Sequence, residues 1–397
     1  MKKIFYKLFF VFILILILLI PRAFAATTPD FSLNSTAAYL FDASSGQILY
    51  ERNSNEKLYP ASLTKVLTAI VVMENAKLDD TVTISESAIN SVEFGYLTAN
   101  LKAGEELTVE QLLNILIISS ANDVAVALAE HISGSVENFA VLMNQTATKI
   151  GCTNSNFVNP NGTHNENHYS TAHDLCLIGN YSLKFDVLKE IFDKTAFTIP
   201  ATNVYTAGDR TYTTTNEILL SWNSNYYKYA KGMKTGFTTP AGFCLMAYAE
   251  KDDLKLISVV LNSSTSDNRY LETKKILDYG FENFSLKKFA NKSDIIQTVS
   301  VKGATKDTKK LNLILDNDLF ITVDNDLDLS TVKPQISINK KIKAPIKEGT
   351  VLGSLSYTVN RNYLYSKFIG KKWCKIISFI FKICSFLYSH FLIVNLI

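Results

Sequence analysis

Pro60-Ala61-Ser62-Leu63-Thr64-Lys65-Val66-Leu67-Thr68-Ala69-Ile70-Val71-Val72-Met73-Glu74 carries more of the fold than any other stretch of the chain. A proline followed by a long apolar run without glycine predicts a helix that starts near Pro60. It is apolar on nearly every face, so it belongs inside a core. Its first turn nevertheless carries a hydroxyl and an amine, Ser62 and Lys65. Three residues apart on a helix, the two side chains share one face and can meet. The helix N-terminus adds unpaired N–H donors and partial positive charge beside Ser62. A partly desolvated lysine at that end gives up its proton more readily, and a neutral amine beside a hydroxyl is one way to make a serine nucleophilic. The S-x-x-K pattern occurs five times, from Ser54, Ser62, Ser285, Ser330 and Ser337, but only the Ser62 copy opens a long apolar helix.

The remaining composition is that of a globular protein. Of 397 residues 47% are hydrophobic and 19% charged, and the net charge of +3, with no basic stripe interleaved with aromatics in the body of the chain, is too small to argue for nucleic acid, so no such partner is expected. Residues 1–25 read as an export signal. Lys2, Lys3 and Lys7 precede the apolar run Phe9–Ile20, and Ala23-Phe24-Ala25 suits cleavage. An uncleaved anchor is the alternative. Of the five cysteines, Cys152, Cys176 and Cys244 read as small buried hydrophobes, with a Cys152–Cys176 disulfide as the other possibility. His164, Glu166 and His168 alternate in an Asn-rich loop but lack the spacing of a metal site, so no metal is expected.

Two further polar clusters fall at element boundaries. Residues 37–50 predict a hairpin about the turn-rich Asp42-Ala43-Ser44-Ser45-Gly46. Thr108-Val109-Glu110-Gln111 is a capping-box pattern opening a second apolar helix. That helix runs into Ser119-Ser120-Ala121-Asn122-Asp123, setting Ser120 and Asn122 at a junction with a third helix from Val124. A buried junction needs partners for its polar groups, which a ligand can supply. As a helix cap alone, S-x-N is weak, since it recurs at Ser32, Ser221 and Ser337. Finally, Lys234-Thr235-Gly236 precedes two strand-like runs, Gly242–Ala249 and Leu254–Asn262, and is expected on a strand beside that hairpin. Lys234 and Thr235 offer a cation and a hydroxyl to a carboxylate, and Gly236 leaves room for another backbone.

The order Ser62/Lys65, Ser120/Asn122, Lys234/Thr235/Gly236 resembles the three-part signature of penicillin-binding proteins and class A β-lactamases. With Tyr59-Pro60-Ala61, Asn159-Pro160-Asn161-Gly162 and the stretch from Lys231 through Phe281, the chain resembles the low-molecular-weight penicillin-binding proteins that are serine-type D-alanyl-D-alanine carboxypeptidases. That resemblance implies an α/β (α+β) transpeptidase-type fold, with an antiparallel sheet and a helical subdomain. It implies Ser62 as nucleophile, Lys65 as general base and Ser120 as proton relay to the leaving amine. Asn122 would bind the substrate's peptide group, Lys234, Thr235 and Arg269 the terminal carboxylate, and the Ser62 and Phe237 N–H groups would form the oxyanion hole. Phe237 stands where well-known relatives carry histidine. No cofactor is implied.

A β-lactamase is the nearest enzymatic alternative, but Glu166 lacks the Glu-x-x-Leu-Asn context of class A enzymes. An inactive wall-binding scaffold is the alternative of another class. After Phe284 short alternating runs predict a small all-β domain over residues 285–360, following a catalytic domain over 26–284. It resembles the family's C-terminal β-domain. In the tail, residues 361–397, Lys367, Lys371, Lys372 and Lys375 beside Trp373, Phe379 and Phe386 predict an amphipathic helix lying on an anionic membrane surface, with a spanning helix as runner-up. The expected activity is removal of the terminal D-Ala of peptidoglycan stem pentapeptides, with β-lactams as covalent inhibitors.

Overall fold

The computed structural model describes residue 29, residues 31–357 apart from 293, 305–308, 316, 339–341, 345 and 347–349, and the pair Lys375–Ile376. The expected export signal and most of the expected membrane tail lie outside the described residues. Two compact units divide the chain: one holds Ser32–Asp294 and Asn317–Leu327, the other is built around Ile295–Asp316 and the described residues beyond Asp328.

The first unit is organised on a five-stranded antiparallel sheet. Its strands are β1 (Ala37–Asp42), β2 (Gln47–Arg52), β3 (Ala230–Thr238), β4 (Gly242–Lys251) and β5 (Leu254–Ser263), in the order β2-β1-β5-β4-β3. Both hairpins expected from the turn chemistry are present. Six longer helices surround the sheet: α1 (Thr64–Asn75), α2 (Val109–Ile118), α3 (Asn122–Ser133), α4 (Val136–Ile150), α5 (Ala172–Ser182) and α6 (Ser266–Asn283). Gly179 of α5 packs on Met246 and Ile257, whereas Gly280 of α6 packs on Leu40 and Leu256. Consecutive residues of a strand point to opposite faces, so Ile257 and Leu256 fix α5 and α6 on opposite sides of the sheet.

Helix α1 is the axle of the helical layer. Every residue from Thr64 to Val72 is buried, and α2, α3, α4 and α5 all pack on it. Val66, Leu67, Ile70 and Val71 are fully buried, each contributing about 1.5–3 kcal/mol. The helix starts later than the sequence suggests. Pro60 caps a single 3-10 turn over Ala61–Leu63, and α-geometry begins only at Thr64. The capping box at Thr108 forms as expected, with the Thr108 hydroxyl and the Gln111 side chain each accepting from the other's backbone N–H.

The expected break after residue 284 is not where the units part. Strand Phe284–Ala290 continues from α6 and pairs with Leu319–Asp324. Thr322 then stitches that strand to the tip of the β1–β2 hairpin. Its N–H donates to Gln47 Oε1 at 2.6 Å, its carbonyl accepts from Gln47 Nε2 at 2.9 Å, and its hydroxyl meets Asp42 and Ser45. All four residues are buried. In the second unit Ile295–Ser300 pairs with Lys310–Ile314 and Pro334–Ile338 with Gly353–Tyr357. Val301, Leu311, Leu313, Ile342, Ile346 and Leu352 form its core. Lys375 and Ile376 extend antiparallel beside Lys310–Ile314 rather than lying in a helix. Among the described residues no helix is long and apolar enough to cross a membrane.

Candidate active site

Three elements bring the sequence-predicted residues together: the turn before α1, the α2–α3 junction and the edge strand β3. A cleft of about 350 Å³ between them is lined by Ser62, Ser120, Asn122, Thr235, Gly236, Phe237 and Arg269, together with Gly95, Tyr96, Leu97, Thr215, Thr238 and Thr239. Lys65 and Lys234 lie beneath it, 0% and 1% exposed.

Lys65 is the hub. Its Nζ donates to Ser62 Oγ at 2.9 Å, to Asn122 Oδ1 at 2.8 Å and to the Asn161 carbonyl at 2.7 Å. Burial drives its pKa well below the ordinary lysine value. The charge of Lys234 lowers it further, and Asp123 opposes both. The amine therefore gives up its proton more readily than a free lysine; once neutral it keeps two N–H bonds for Asn122 and Asn161 and turns its lone pair to the Ser62 hydroxyl.

Ser120 takes a left-handed backbone, φ 62°, at the break between α2 and α3. The strain aims a 4%-exposed serine into the cleft instead of along a helix. Asn122 then begins α3, its backbone N–H and its side-chain Nδ2 both donating to the Leu97 carbonyl at 2.9 Å. The next residue, Asp123, accepts from the N–H groups of Ala99 and Leu101. The junction thereby fixes the wall carrying Tyr96 and Leu97. Burial raises the Asp123 pKa against those donors.

On the opposite side β3 slips register with β4 between Ala230 and Met233, a bulge just before Lys234 of the kind that re-aims side chains beside active sites. Gly236 passes so close to the Pro60–Leu63 turn that a Cβ there would sit 3.0 Å from the Pro60 carbonyl and 3.1 Å from Ser62 N. The close approach expected of this glycine is therefore real. Lys234 Nζ donates to the Thr235 carbonyl at 3.0 Å, and burial, then Arg269, lower its pKa to about 7. Arg269, in the first turn of α6, donates to the Gly236 carbonyl at 3.3 Å and to the Tyr270 hydroxyl at 3.2 Å. The Phe237 ring is 51% exposed and stacks on Phe243 at 4.4 Å between centroids.

Some participants carried no sequence signal. Thr215 hydrogen-bonds Thr235 through paired hydroxyls at 2.9 Å, and nothing in its neighbourhood marks it. The Asn159-Pro160-Asn161-Gly162 turn was visible, but not that its carbonyl would hold Lys65. His164, Glu166 and His168 do not converge. His164 packs edge-on against Tyr59 at 4.7 Å, Glu166 is exposed, and His168 is buried against Thr64. Among the described residues no group of three or more His, Cys, Asp or Glu side chains could hold a metal ion. Cys152, Cys176 and Cys244 are all free thiols.

Residues 22–265 match the family described as D-alanyl-D-alanine carboxypeptidase. The chain belongs to the D-alanyl-D-alanine carboxypeptidase family. Residues 284–372 of this carboxypeptidase match the C-terminal domain of penicillin-binding protein 5. It is 33% identical to the D-alanyl-D-alanine carboxypeptidase DacF of Bacillus subtilis, over 84% of this chain and 85% of that one. It is 34% identical to DacC of Escherichia coli, over 87% and 86%. Among solved structures, penicillin-binding protein 5 of Haemophilus influenzae superposes with a TM-score of 0.74 at 32% identity, covering 88% of this carboxypeptidase and 98% of that chain. The α+β penicillin-binding fold expected from the sequence is the one observed.

Proposed function

We propose that Ser62 is the nucleophile of this serine carboxypeptidase and Lys65 its general base, acting on the terminal D-Ala-D-Ala bond of peptidoglycan stem pentapeptides. The observation that carries the assignment is the wholly buried Lys65 amine, 2.9 Å from the Ser62 hydroxyl. The neutral amine takes the Ser62 proton as Oγ attacks the carbonyl carbon of the penultimate D-Ala. The N–H groups of Ser62 and Phe237 hold the oxyanion, each such donor being worth about 10²–10³ in rate. Ser120 passes a proton to the departing nitrogen, D-Ala leaves, and water opens the acyl-enzyme. Asn122 holds the substrate's peptide group, and Lys234, Thr235 and Arg269 receive its carboxylate, with Gly236 giving the strand its close approach. The carboxylate's charge offsets the mutual repulsion of Lys234 and Arg269.

A β-lactam enters the same path but leaves a penicilloyl ester. Glu166 is exposed and does not line the cleft, so the ester persists and the enzyme is inhibited. Intact-mass measurement after benzylpenicillin exposure tests this. One adduct per chain, on Ser62 and absent from Ser62→Ala, is expected; rapid full hydrolysis of the drug, or an adduct that survives Ser62→Ala, overturns the assignment.

We read residues 1–25 as the export signal and 361–397 as a tail lying on the outer face of the cytoplasmic membrane, from their charge and aromatic pattern. Residues 26–284 carry the catalytic domain, with 285–294 and 317–327 packed onto it, and the rest of 295–360 is the C-terminal β-domain. Removing residues beyond 360 should move the enzyme from the membrane fraction to the soluble one; unchanged membrane retention refutes the anchor.

A further inference from the structure

Lys65 rests on a carbonyl supplied by a loop, and that loop must be held against α1. Asn156 and Tyr169 close its base by exchanging backbone hydrogen bonds of 2.8 and 3.0 Å, and it meets α1 and the preceding turn at four successive points. The Pro160 carbonyl accepts from Thr68 Oγ1 at 2.6 Å, the Asn161 carbonyl accepts from Lys65 Nζ, Gly162 abuts the Ala61 carbonyl, and His168 Nε2 lies 2.9 Å from Thr64 Oγ1. The last contact is the only one of the four made by a titratable ring, and it is next in sequence to the base.

We propose that His168 is a positioning residue for the general base, its imidazole pinning the 158–168 loop to α1 so that the Asn161 carbonyl stays on the Lys65 amine. The ring is 2% exposed and packs edge-on against Phe157 at 5.5 Å. Its Nδ1 accepts from the Val158 N–H at 3.2 Å, so the proton sits on Nε2 and is donated to Thr64 Oγ1. One ring thus ties the outgoing limb of the loop to the residue beside Lys65. A second proton would set N–H against the Val158 N–H, donor facing donor. The charged or titratable groups facing it are Lys65 from α1 and His164 from the loop; burial first, then these two, hold its pKa down at about 4. The contact is built to remain in one protonation state across the working range.

The proposal rests on Ser62 and Lys65 being nucleophile and base. Its test is the second-order rate of Ser62 acylation by benzylpenicillin, followed by intact mass on the full chain, across pH. His168→Phe fills the same space without either hydrogen bond and is expected to slow acylation about 10–100-fold, with unchanged far-UV circular dichroism. His168→Gln, whose amide can accept from Val158 and donate to Thr64, is expected to recover to within about fivefold of the wild type. Thr64→Val slows acylation too, and combined with His168→Phe it adds nothing further, because both remove one contact. Acylation of His168→Phe within twofold of wild type overturns the proposal. So do a His168→Gln variant as slow as His168→Phe, or effects that multiply. Absence of any adduct on the wild-type chain would instead remove the nucleophile assignment, and this proposal with it.

Discussion

Gly162→Ala is a one-methyl perturbation aimed at the contact between the loop and the turn that carries Ser62. Gly162 has φ +79°, and a Cβ built on it would stand 1.9 Å from the Ala61 carbonyl oxygen, 2.5 Å from its carbon and 2.9 Å from Thr64 Oγ1. Two of those three atoms are backbone, so no side chain can swing aside. The left-handed conformation alone costs alanine about 1–2 kcal/mol. To restore an ordinary van der Waals separation, loop and turn must part by more than about 1 Å. Ala61 itself already sits at φ 48° and has little freedom to turn its carbonyl away. Parting draws the Asn161 carbonyl off Lys65, or Ser62 off Lys65, and stretches bonds of 2.7 and 2.9 Å beyond hydrogen-bonding range. A misplacement of that size is expected to lower the acylation rate about 10²-fold, and the melting temperature by at least about 2–4 °C. Timed labelling with a fluorescent penicillin and a thermal melt on the same sample measure both. A Gly162→Ala enzyme that acylates within threefold of wild type would refute the reasoning.

Activity should follow both lysines. kcat/KM falls on the acid side as Lys65 gains a proton, at a pH well below the ordinary lysine value, and on the alkaline side above about 7 as Lys234 loses its charge; a pH profile with an acyl-D-Ala-D-Ala peptide checks this, and Lys234→Gln should erase the alkaline limb. Asp123→Ala strands the buried N–H groups of Ala99 and Leu101, each costing about 1–3 kcal/mol. Urea unfolding should register the loss, and KM should rise as the Leu97 wall loosens. Thr322→Val removes the donor to Asp42 and Ser45 and should lower stability by about 1–3 kcal/mol while leaving the acylation rate unchanged, because Thr322 does not line the cleft.

The residues gathered at the cleft were legible because each breaks a local rule. Lys65 is a charge in a helix with no polar face, Ser120 a polar break between apolar helices, and Gly236 a gap in a strand. Such conflicts between local pattern and residue type mark sites. The start of α1 was misjudged by several residues because Pro60 and Ser62 suit the first turn of an α-helix as well as they suit a 3-10 turn; only the contact with Gly162 and Gly236 separates the two. Thr215 and the Asn161 carbonyl were invisible for a different reason. One is an ordinary threonine and the other a backbone atom, and both gain their roles from partners far away in sequence. The pairing of 319–324 with Phe284–Ala290 was invisible for the same reason, since alternation predicts that 319–324 is a strand but not which strand it joins.

The stitch at Thr322 has a practical corollary for anyone cutting this enzyme down to its working part. A piece ending at residue 284 loses the segment that covers Asp42, Ser45 and Gln47, and leaves those buried polar side chains at the tip of the first hairpin to water. A fragment that keeps those contacts therefore runs to residue 327, with the intervening span, residues 295–316, carried along or replaced by a bridge.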